Sequence, residues 1–372
     1  MCPPLSDVCV SWALLARLLC PSSHLARVYS GPVWRPVLEL GMGIHDFKSF
    51  LKEHLVTIIK TIEPGSDIEP ELQGYVTTED GVKIRYAKWK AAVAPVKGTV
   101  LVLQGRTEYI EKYLETVRDL RNKGFEVLAF DWRGQGGSDR LLEDTRKGYV
   151  DEYSEYLLDL DAIIADVALP DCKSPFYILG HSTGALVALL AAPKIPNKVR
   201  RMVLCSPLLG IGKQPISQRA IKVLSGSMTA LGLADTYLGG GGTPNSSKPF
   251  IGNNLTSDLE RYERNKKFSE EHRNLTIGSP TAAWIFASCK AMDRVSDPDF
   301  FADINIPSLF VLAGRDEVVD NQAAEYLAAR LRAGSLLTID GAKHELLQEK
   351  DFYREQLLAA FFAFVPGSDT AG

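Results

Sequence analysis

The chain has 372 residues, of which 45% are hydrophobic and 24% are charged, and its formal net charge is −4. That length allows one large domain, or a domain with an insertion, and the composition is that of a globular protein. A weakly negative chain lacks the basic stripe of nucleic-acid-binding proteins, so we expect no nucleic-acid partner.

The six cysteines indicate the cellular compartment. None forms a Cys-x-x-Cys pair, and no Cys/His cluster has zinc-site spacing. We therefore expect reduced, mostly buried thiols and a cytoplasmic protein, and leave open a peripheral contact with the inner membrane face.

Residues 1–41 are expected to be a disordered leader, or the product of a start codon assigned too early, with Met42 as the true start. The apolar stretch VCVSWALLARLLC is too short to span a bilayer and contains Arg17. It also lacks the preceding basic residue and the small-residue cleavage site of a signal peptide.

Residues 42–72 are predicted to form an N-terminal helical segment. Apolar residues recur there at helical spacing: Phe47, Leu51, Leu55 and Ile58. Packing on the domain and lying on a membrane surface both fit this pattern.

From Gln73 onward, strands and helices are predicted in alternation. GYVTTEDGVKIRYAKWK has two β-prone runs around an Asp80-Gly81 turn, which predicts a hairpin. GTVLVLQG is a continuous apolar run, typical of a strand covered on both faces. A helix follows, which should end at Gly124. Its apolar positions are Ile110, Leu114, Val117 and Leu120.

Five more strands are predicted: FEVLAFDW, PFYILG, VRRMVLCSP, PSLFVLAG and SLLTID. Helical stretches separate them, one with apolar residues from Leu157 to Val167 and a stop at Pro170, and the last ending near Phe364. This alternation predicts an α/β fold with a mostly parallel, doubly wound sheet. Functional groups of such sheets gather beyond the carboxyl ends of the strands.

Residues 209–295 interrupt the alternation with a Gly/Ser-rich stretch and helical pieces of their own. A long insertion after a strand is typical of a cap or lid over the sheet edge, and a surface excursion without a role is the alternative. The predicted core therefore has two parts, residues 73–208 and 296–366, followed by a tail at 367–372.

Gly180-His181-Ser182-Thr183-Gly184 is a G-x-S-x-G sequence between a predicted strand and a predicted helix. A tight strand-to-helix turn would lift the Ser182 hydroxyl clear of its neighbours. The N–H of Thr183, at the helix N-terminus, would then point toward a developing oxyanion. A plain turn is the alternative.

A serine nucleophile needs a base, and on this kind of sheet the chain order is serine, acid, histidine. We predict His344 as the base because it follows the last strand, whereas His272 lies in a charged part of the insertion. Asp316, just past the preceding strand, is the predicted acid that orients the imidazole. Glu317 and Asp320 suit the start of the next helix instead.

The loop LVLQGRTEYIEKY is expected to supply the second oxyanion donor, the N–H of Arg106, beside the flexible Gly105. The Arg106 side chain either offers a cation to an anionic head group or faces solvent.

The glycine-rich FDWRGQGGSDR lacks the Gly-Lys-Ser/Thr ending of a phosphate loop. We therefore interpret its Asp131 and Arg133 as structural.

In their order along the chain, QGRTEYIEKY, FDWRGQGGSDR, GHSTGA, AGRDEVVD and GAKHELLQE resemble the α/β-hydrolase superfamily, within it the lysophospholipase and monoacylglycerol-lipase branch. The resemblance covers about residues 74–364, and the first two motifs are similar to bacterial lysophospholipase L2 proteins. It implies the α/β-hydrolase fold with an inserted helical cap. It also implies the same site residues: catalytic Ser182, Asp316 and His344, and oxyanion donors Arg106 and Thr183.

The resemblance implies a serine carboxylester hydrolase that acts on a single-acyl lipid, most of all a lysophospholipid, and needs no metal or organic cofactor. Trp284, Ile285 and Phe286 are candidate lining of the acyl pocket, with packing inside the cap as the alternative. Monoacylglycerol lipases usually begin the oxyanion loop with His-Gly, whereas this chain has Gln104-Gly105.

Four other functions stay open at this point. Two act on esters, a monoacylglycerol lipase and an esterase for small soluble esters. The third is an aminopeptidase, which would hold the substrate amine with cap carboxylates, and the fourth is a non-catalytic binding protein of the same fold. The candidate cap carboxylates are Glu260, Glu263, Glu270 and Glu271. The oligomeric state is not predicted.

Overall fold

The computed structural model describes residues 68–242 and 249–365. These residues belong to the second of two units, which begins at Asp67. The predicted leader at 1–41, most of the predicted helical segment at 42–72 and the tail at 367–372 lie outside the described residues. The described part of 42–72 has no helix and enters the first strand at Leu72.

Eight strands form one sheet in the order β1-β2-β4-β3-β5-β6-β7-β8. Strand β2 is antiparallel to β1 and β4, and β3 to β8 are parallel to one another. The predicted α/β fold with a mostly parallel sheet is confirmed. The strands are β1 Leu72–Thr77, β2 Lys83–Trp89, β3 Thr99–Leu103, β4 Glu126–Phe130, β5 Phe176–His181, β6 Val199–Cys205, β7 Ser308–Ala313 and β8 Gly334–Ile339.

Helices flank this sheet and fill the segment between β6 and β7. They are α1 Leu114–Asn122, α2 Tyr153–Ile163, α3 Leu169–Asp171, α4 Thr183–Ala191, α5 Gln218–Ala230, α6 Leu259–Glu271, α7 Ala282–Val295, α8 Pro298–Phe301, α9 Asn321–Ala328 and α10 Asp351–Phe364.

The helical run that begins with α2 ends at Asp171, one residue after the stop predicted at Pro170. A π-helical turn, Ile164–Ala168, joins α2 to α3, and Pro170 lies within α3. The π-turn has already broken the i to i−4 hydrogen-bond pattern, so a residue without an N–H is tolerated there.

The continuous apolar strands are explained by cores on both faces of the sheet. Alternate side chains of β3 enter different cores, Leu101 and Leu103 on one face and Val100 and Val102 on the other. All nine residues of α4 are buried against the first of these cores. The central strand β5 and the helix after it therefore have well-packed surroundings.

Asp131 and Arg133 hold the loop after β4, as the sequence indicated. The Asp131 carboxylate accepts hydrogen bonds from the N–H of Ile110 at 2.9 Å and from the Arg85 guanidinium at 2.7 Å. Arg133 donates to the Asp159 carboxylate at 2.7 Å. These ionic contacts tie the loop to β2 and α2 beneath the carboxyl edge of the sheet.

The segment between β6 and β7 contains α5 to α8 and contacts the core through ion pairs. Arg261 of α6 pairs with Glu115 of α1 at 2.5 Å and with Asp351 of α10 at 2.6 Å. A lid function of this segment stays a prediction. Within residues 68–242 and 249–365, no helix is both long and apolar enough to cross a bilayer.

The Arg133–Asp159 pair yields a stability prediction, because its side chains are only 1% and 0% exposed. Asp159→Ala leaves the buried Nε and backbone N–H of Arg133 without an acceptor, while Asp80 still pairs with the guanidinium. It should lower the free energy of unfolding by about 1–3 kcal/mol, measured by urea titration. Lys290→Ala is the control, since its pair with Glu152 is exposed and should matter much less. Equal losses in the two variants would contradict a structural role for the buried pair.

Candidate active site

Ser182 lies between β5 and α4 in a strained backbone conformation. Its φ is 51° and its ψ is −110°, a region that residues other than glycine seldom adopt. The Ser182 N–H donates to the carbonyl of Cys205 at 3.0 Å, and its carbonyl accepts from the N–H of Leu208 at 3.1 Å. Contacts with β6 and the loop after it therefore hold the strained turn.

The two glycines of the motif allow close backbone approach. A Cβ at Gly184 would lie 2.2 Å from the carbonyl oxygen of Leu103, and a Cβ at Gly180 would lie 2.9 Å from the Cα of Ala185. Side chains at these positions would push α4 away from the sheet. The spacing of the motif thus follows from the packing of the turn.

Ser182, His344 and Asp316 are brought together in one hydrogen-bonded chain. His344 Nε2 lies 3.2 Å from Ser182 Oγ, and His344 Nδ1 lies 2.8 Å from Asp316 Oδ2. A carboxylate only accepts hydrogen bonds, so Nδ1 carries the hydrogen and Nε2 is free to accept the serine proton.

Asp316 is held as a carboxylate. Burial alone would raise its pKa, but the charge and hydrogen bond of His344 outweigh burial and lower it. The N–H groups of Val318 and Val319 act in the same direction, donating to Oδ1 at 2.8 and 3.0 Å. The Asp316 carboxylate, itself held by two backbone N–H groups, therefore fixes the orientation of the His344 imidazole.

The other histidine and carboxylate candidates lie elsewhere. His272 ends α6 and packs on Phe268, with ring centroids 4.2 Å apart, and it does not line the cavity next to Ser182. Asp320 caps α9, accepting the N–H of Gln322 at 2.9 Å. Glu317 is in the loop between β7 and α9.

The two predicted oxyanion donors flank the same cavity as Ser182. Thr183 is the first residue of α4, so its N–H has no acceptor within the helix. In the loop after β3, the N–H of Gly105 donates to Glu108 at 2.5 Å and is not available. The N–H of Arg106 has no acceptor among the residues that the structure describes.

Glu108 is a buried residue of the site that the sequence analysis did not single out. Its carboxylate accepts from Gly105, from the Tyr113 hydroxyl at 2.6 Å and from Lys112 Nζ at 2.9 Å. Burial would raise the pKa of Glu108, but the charges of Lys112 and His181 outweigh it and keep that pKa well below its ordinary range. The i,i+4 spacing of Glu108 and Lys112 signals an ion pair, though not its burial.

His181 connects Glu108 to the loop that carries His344. Its Nδ1 lies 3.2 Å from the Glu108 carboxylate and its Nε2 lies 3.3 Å from the carbonyl oxygen of His344. Both partners only accept, so both ring nitrogens donate, which requires a protonated imidazole. Burial would lower the pKa of His181, but the Glu108 charge outweighs burial and raises it.

A cavity of about 330 Å³ opens next to Ser182 and has both polar and apolar lining. The main polar residues of the lining are Arg106, Glu108, Lys112, Asn265, Ser269 and Glu345. The apolar residues of the lining are Leu208, Ile211, Trp284, Ile285, Met292 and Val318. The site can accept a molecule with one apolar and one polar part.

Among the candidate pocket residues, Trp284 and Ile285 line the cavity, but the prediction for Phe286 is wrong. Its ring lies against Gly226 of α5 and beneath Lys290 Nζ, 5.0 Å from the ring centroid. On α7, positions four residues apart share the cavity face, and Phe286 points away from it.

The cap carboxylates considered for an aminopeptidase are also outside the cavity. All four lie at or near the exposed surface of α6, and none is among the lining residues. The glutamates that do line the cavity, Glu108 and Glu345, are both paired with Lys112.

Comparison with known proteins places the chain in a family. The family described as "Serine aminopeptidase, S33" matches residues 94–351. The chain belongs to this family. Within it, the chain is 30% identical to the probable lysophospholipase L2 of Haemophilus influenzae, over 78% of this chain and 91% of that protein. It is 32% identical to lysophospholipase L2 of Escherichia coli, over 77% and 85%.

A solved structure of similar fold is a soluble variant of monoglyceride lipase from Saccharomyces cerevisiae. It has a TM-score of 0.62 and 18% identity, and the match covers 80% of this chain and 95% of that one. The α/β-hydrolase fold and the resemblance to the lysophospholipase and monoacylglycerol-lipase branch are confirmed. This member of the S33 family is an ester hydrolase.

Gly105→Ala tests the loop that carries Arg106. The new Cβ would lie 2.8 Å from both Glu108 Oε2 and His181 Nδ1, whose positions are fixed by hydrogen bonds. Displacement of the loop should lower kcat on a chromogenic acyl ester by about tenfold to a thousandfold. Gly241→Ala is the matched control, since its Cβ would meet nothing within 4 Å. Wild-type kcat in Gly105→Ala would show that the loop does not position a donor.

Proposed function

We propose that the chain is a serine carboxylester hydrolase that cleaves the acyl ester of a single-chain lipid, most of all a lysophospholipid. The observation that carries the proposal is the Ser182–His344–Asp316 chain of hydrogen bonds, which opens on a cavity with apolar and polar lining. A nucleophile, a base and an acid in this geometry are what acyl transfer requires.

In the acylation step, Ser182 Oγ attacks the acyl carbonyl carbon while His344 Nε2 takes the hydroxyl proton. The N–H groups of Arg106 and Thr183 donate to the resulting oxyanion, and the positive end of α4 adds to this stabilisation. Asp316 stabilises the imidazolium. His344 then protonates the leaving oxygen, which releases the alcohol and leaves an acyl ester on Ser182.

In the deacylation step, water takes the place of the alcohol. His344 removes a proton from water, the hydroxide attacks the acyl-serine carbonyl, and the same N–H groups bind the second oxyanion. Collapse of this intermediate returns the proton to Ser182 and releases the fatty acid. Residues of the chain thus supply the nucleophile, the base, the acid and the oxyanion donors, and solvent supplies the water.

The choice of a lysophospholipid rests on the lining and on the relatives. An acyl chain suits the apolar lining, and a charged head group suits the polar lining. The relatives at 30% and 32% identity are named lysophospholipase L2, whereas the human monoglyceride lipase is 24% identical. Monoacylglycerol is the second candidate, because its glycerol ester differs from that of a lysophospholipid only by the missing phosphate substituent.

We also propose a peripheral contact with the membrane that holds such lipids, from the cytoplasmic side. Residues of α5 and the turn after it expose apolar side chains, among them Val223 at 69% and Leu231 at 77%. An exposed apolar patch of this kind suits an interface with lipid. The cysteines Cys172, Cys205 and Cys289 are free thiols, in keeping with a reducing compartment.

Ser182→Ala and His344→Ala are each expected to lower kcat on a chromogenic acyl ester at least about a thousandfold, because each removes one member of the chain of proton transfer. Ser225→Ala and His272→Ala are the matched controls and should keep most of the activity. Circular dichroism checks that all four variants are folded. Wild-type turnover by Ser182→Ala would refute the mechanism, and loss of activity only in His272→Ala would move the base to that residue.

A substrate series tests the lipid assignment. We expect kcat/KM of the wild-type protein to rise with acyl length in a series of esters, because each buried methylene contributes about 0.8 kcal/mol. Lysophosphatidylcholine and monoacylglycerol of one acyl length are compared in the same assay by release of fatty acid. A preference for short water-soluble esters would exclude a lipid substrate.

A further inference from the structure

The Arg106 side chain is a partly buried cation at the cavity wall. Its Nη2 donates to the carbonyl oxygen of Gly278 at 2.8 Å, and its Cζ lies 5.0 Å from the centroid of the Trp284 ring. Its Nε is buried and has no hydrogen-bond partner among the residues that the structure describes. Two contacts thus orient the guanidinium, and its Nε–H is free to donate a hydrogen bond to a ligand.

Carboxylates do not pair with this guanidinium anywhere in residues 68–242 and 249–365. The nearest in sequence, Glu108, is occupied by Gly105, Tyr113 and Lys112. Burial lowers the pKa of Arg106 to about 10, so the group is still charged at neutral pH. A desolvated cation without a carboxylate partner is costly, so an anion bound beside Arg106 would be stabilised there.

Other arginines with little exposed side chain do have carboxylate partners. The pairs are Arg85–Asp131, Arg133–Asp159, Arg261–Glu115 and Arg354–Asp119. Arg140 is the exception and resembles Arg106, since its Nη2 donates to the carbonyl of Asn274 at 2.6 Å and its Nη1 is unpaired. Arg140 does not line the cavity, however, and Arg106 does.

Lys112 and the protonated His181 are the other cations in the lining, and both lie against the Glu108 carboxylate. Lys112 Nζ lies 2.9 Å from Glu108 and 2.7 Å from Glu345. An anion near Lys112 would meet two carboxylates. Arg106 is therefore the cation of the cavity lining that has charge to offer.

We propose that the Arg106 guanidinium binds the phosphate of the lipid head group and so determines the selectivity for anionic over neutral acyl esters. This rests on the proposed function. A guanidinium presents donors in a planar fork that matches two phosphate oxygens, and stacking on Trp284 fixes its plane. In a lysophospholipid the phosphate is one glycerol unit from the acyl carbonyl, and Arg106 offers its N–H to that carbonyl and its side chain to the phosphate.

The test compares palmitoyl lysophosphatidylglycerol with monopalmitoylglycerol in wild type, Arg106→Met and the matched control Arg140→Met. The measured quantity is the ratio of kcat/KM for the two substrates. We expect Arg106→Met to lower this ratio about tenfold to a hundredfold, as for the loss of a charged hydrogen bond, and Arg140→Met to keep it. Arg106→Lys should recover part of the ratio. An unchanged ratio in Arg106→Met, or an equal fall in Arg140→Met, would overturn the proposal.

A binding measurement on proteins that keep Arg106 tests the proposal without turnover, and it does not require Arg106→Met to fold. Glycerol 3-phosphate, glycerol and inorganic phosphate are titrated calorimetrically into wild type and into Ser182→Ala. We expect glycerol 3-phosphate to bind both proteins and glycerol to bind neither. If glycerol 3-phosphate does not bind, Arg106 does not select the head group. The same conclusion follows if inorganic phosphate binds but Arg106→Met leaves the ratio of kcat/KM unchanged. Turnover retained by Ser182→Ala would instead refute the proposed function and leave the binding result standing.

Discussion

Ser182 is held at φ 51° and ψ −110°, a conformation that costs an ordinary residue about 1–3 kcal/mol and survives only where the surroundings impose it. The surroundings are the adjacent strands of the parallel sheet. Hydrogen bonds with Cys205 and Leu208 fix the two sides of the turn, and Gly184 lets α4 approach β3. The same strain directs the hydroxyl toward the loop that carries His344 and places the Thr183 N–H at the start of α4. The positions of the proposed nucleophile and of one proposed oxyanion donor therefore both follow from one backbone constraint.

The loop after β3 is coupled to this turn through buried charge. Glu108 accepts the Gly105 N–H and also faces His181, the residue directly before the serine. His181 in turn donates to the carbonyl of His344. The loops that carry Arg106, Ser182 and His344 thus share one hydrogen-bonded ionic network. Because its members are buried, removal of one leaves a buried polar atom of each of its partners with one hydrogen bond fewer, so these loops are expected to hold their positions together.

The sheet and the three hydrogen-bonded residues could be predicted because each has a local signal. Apolar runs mark the strands, and Ser182, Asp316 and His344 follow strand ends in the order that the topology requires. The Glu108–His181 pair has no such signal, because its members are far apart in sequence and their burial depends on the packing of the loop. The prediction that Phe286 lines the cavity was wrong for a related reason. A run of large apolar residues on a helix does not show which face of the helix meets the cavity.

Arg106 joins the core to the segment between β6 and β7, because its guanidinium donates to Gly278 and stacks on Trp284 of α7. Gly278 and Trp284 both belong to that segment. An ion pair between Arg261 and Glu115 connects helix α6 of the segment to the core. The orientation of the guanidinium therefore depends on the position of this segment relative to the core. Under the proposal for Arg106, selection of the head group therefore depends on the contacts by which Gly278 and Trp284 orient the guanidinium.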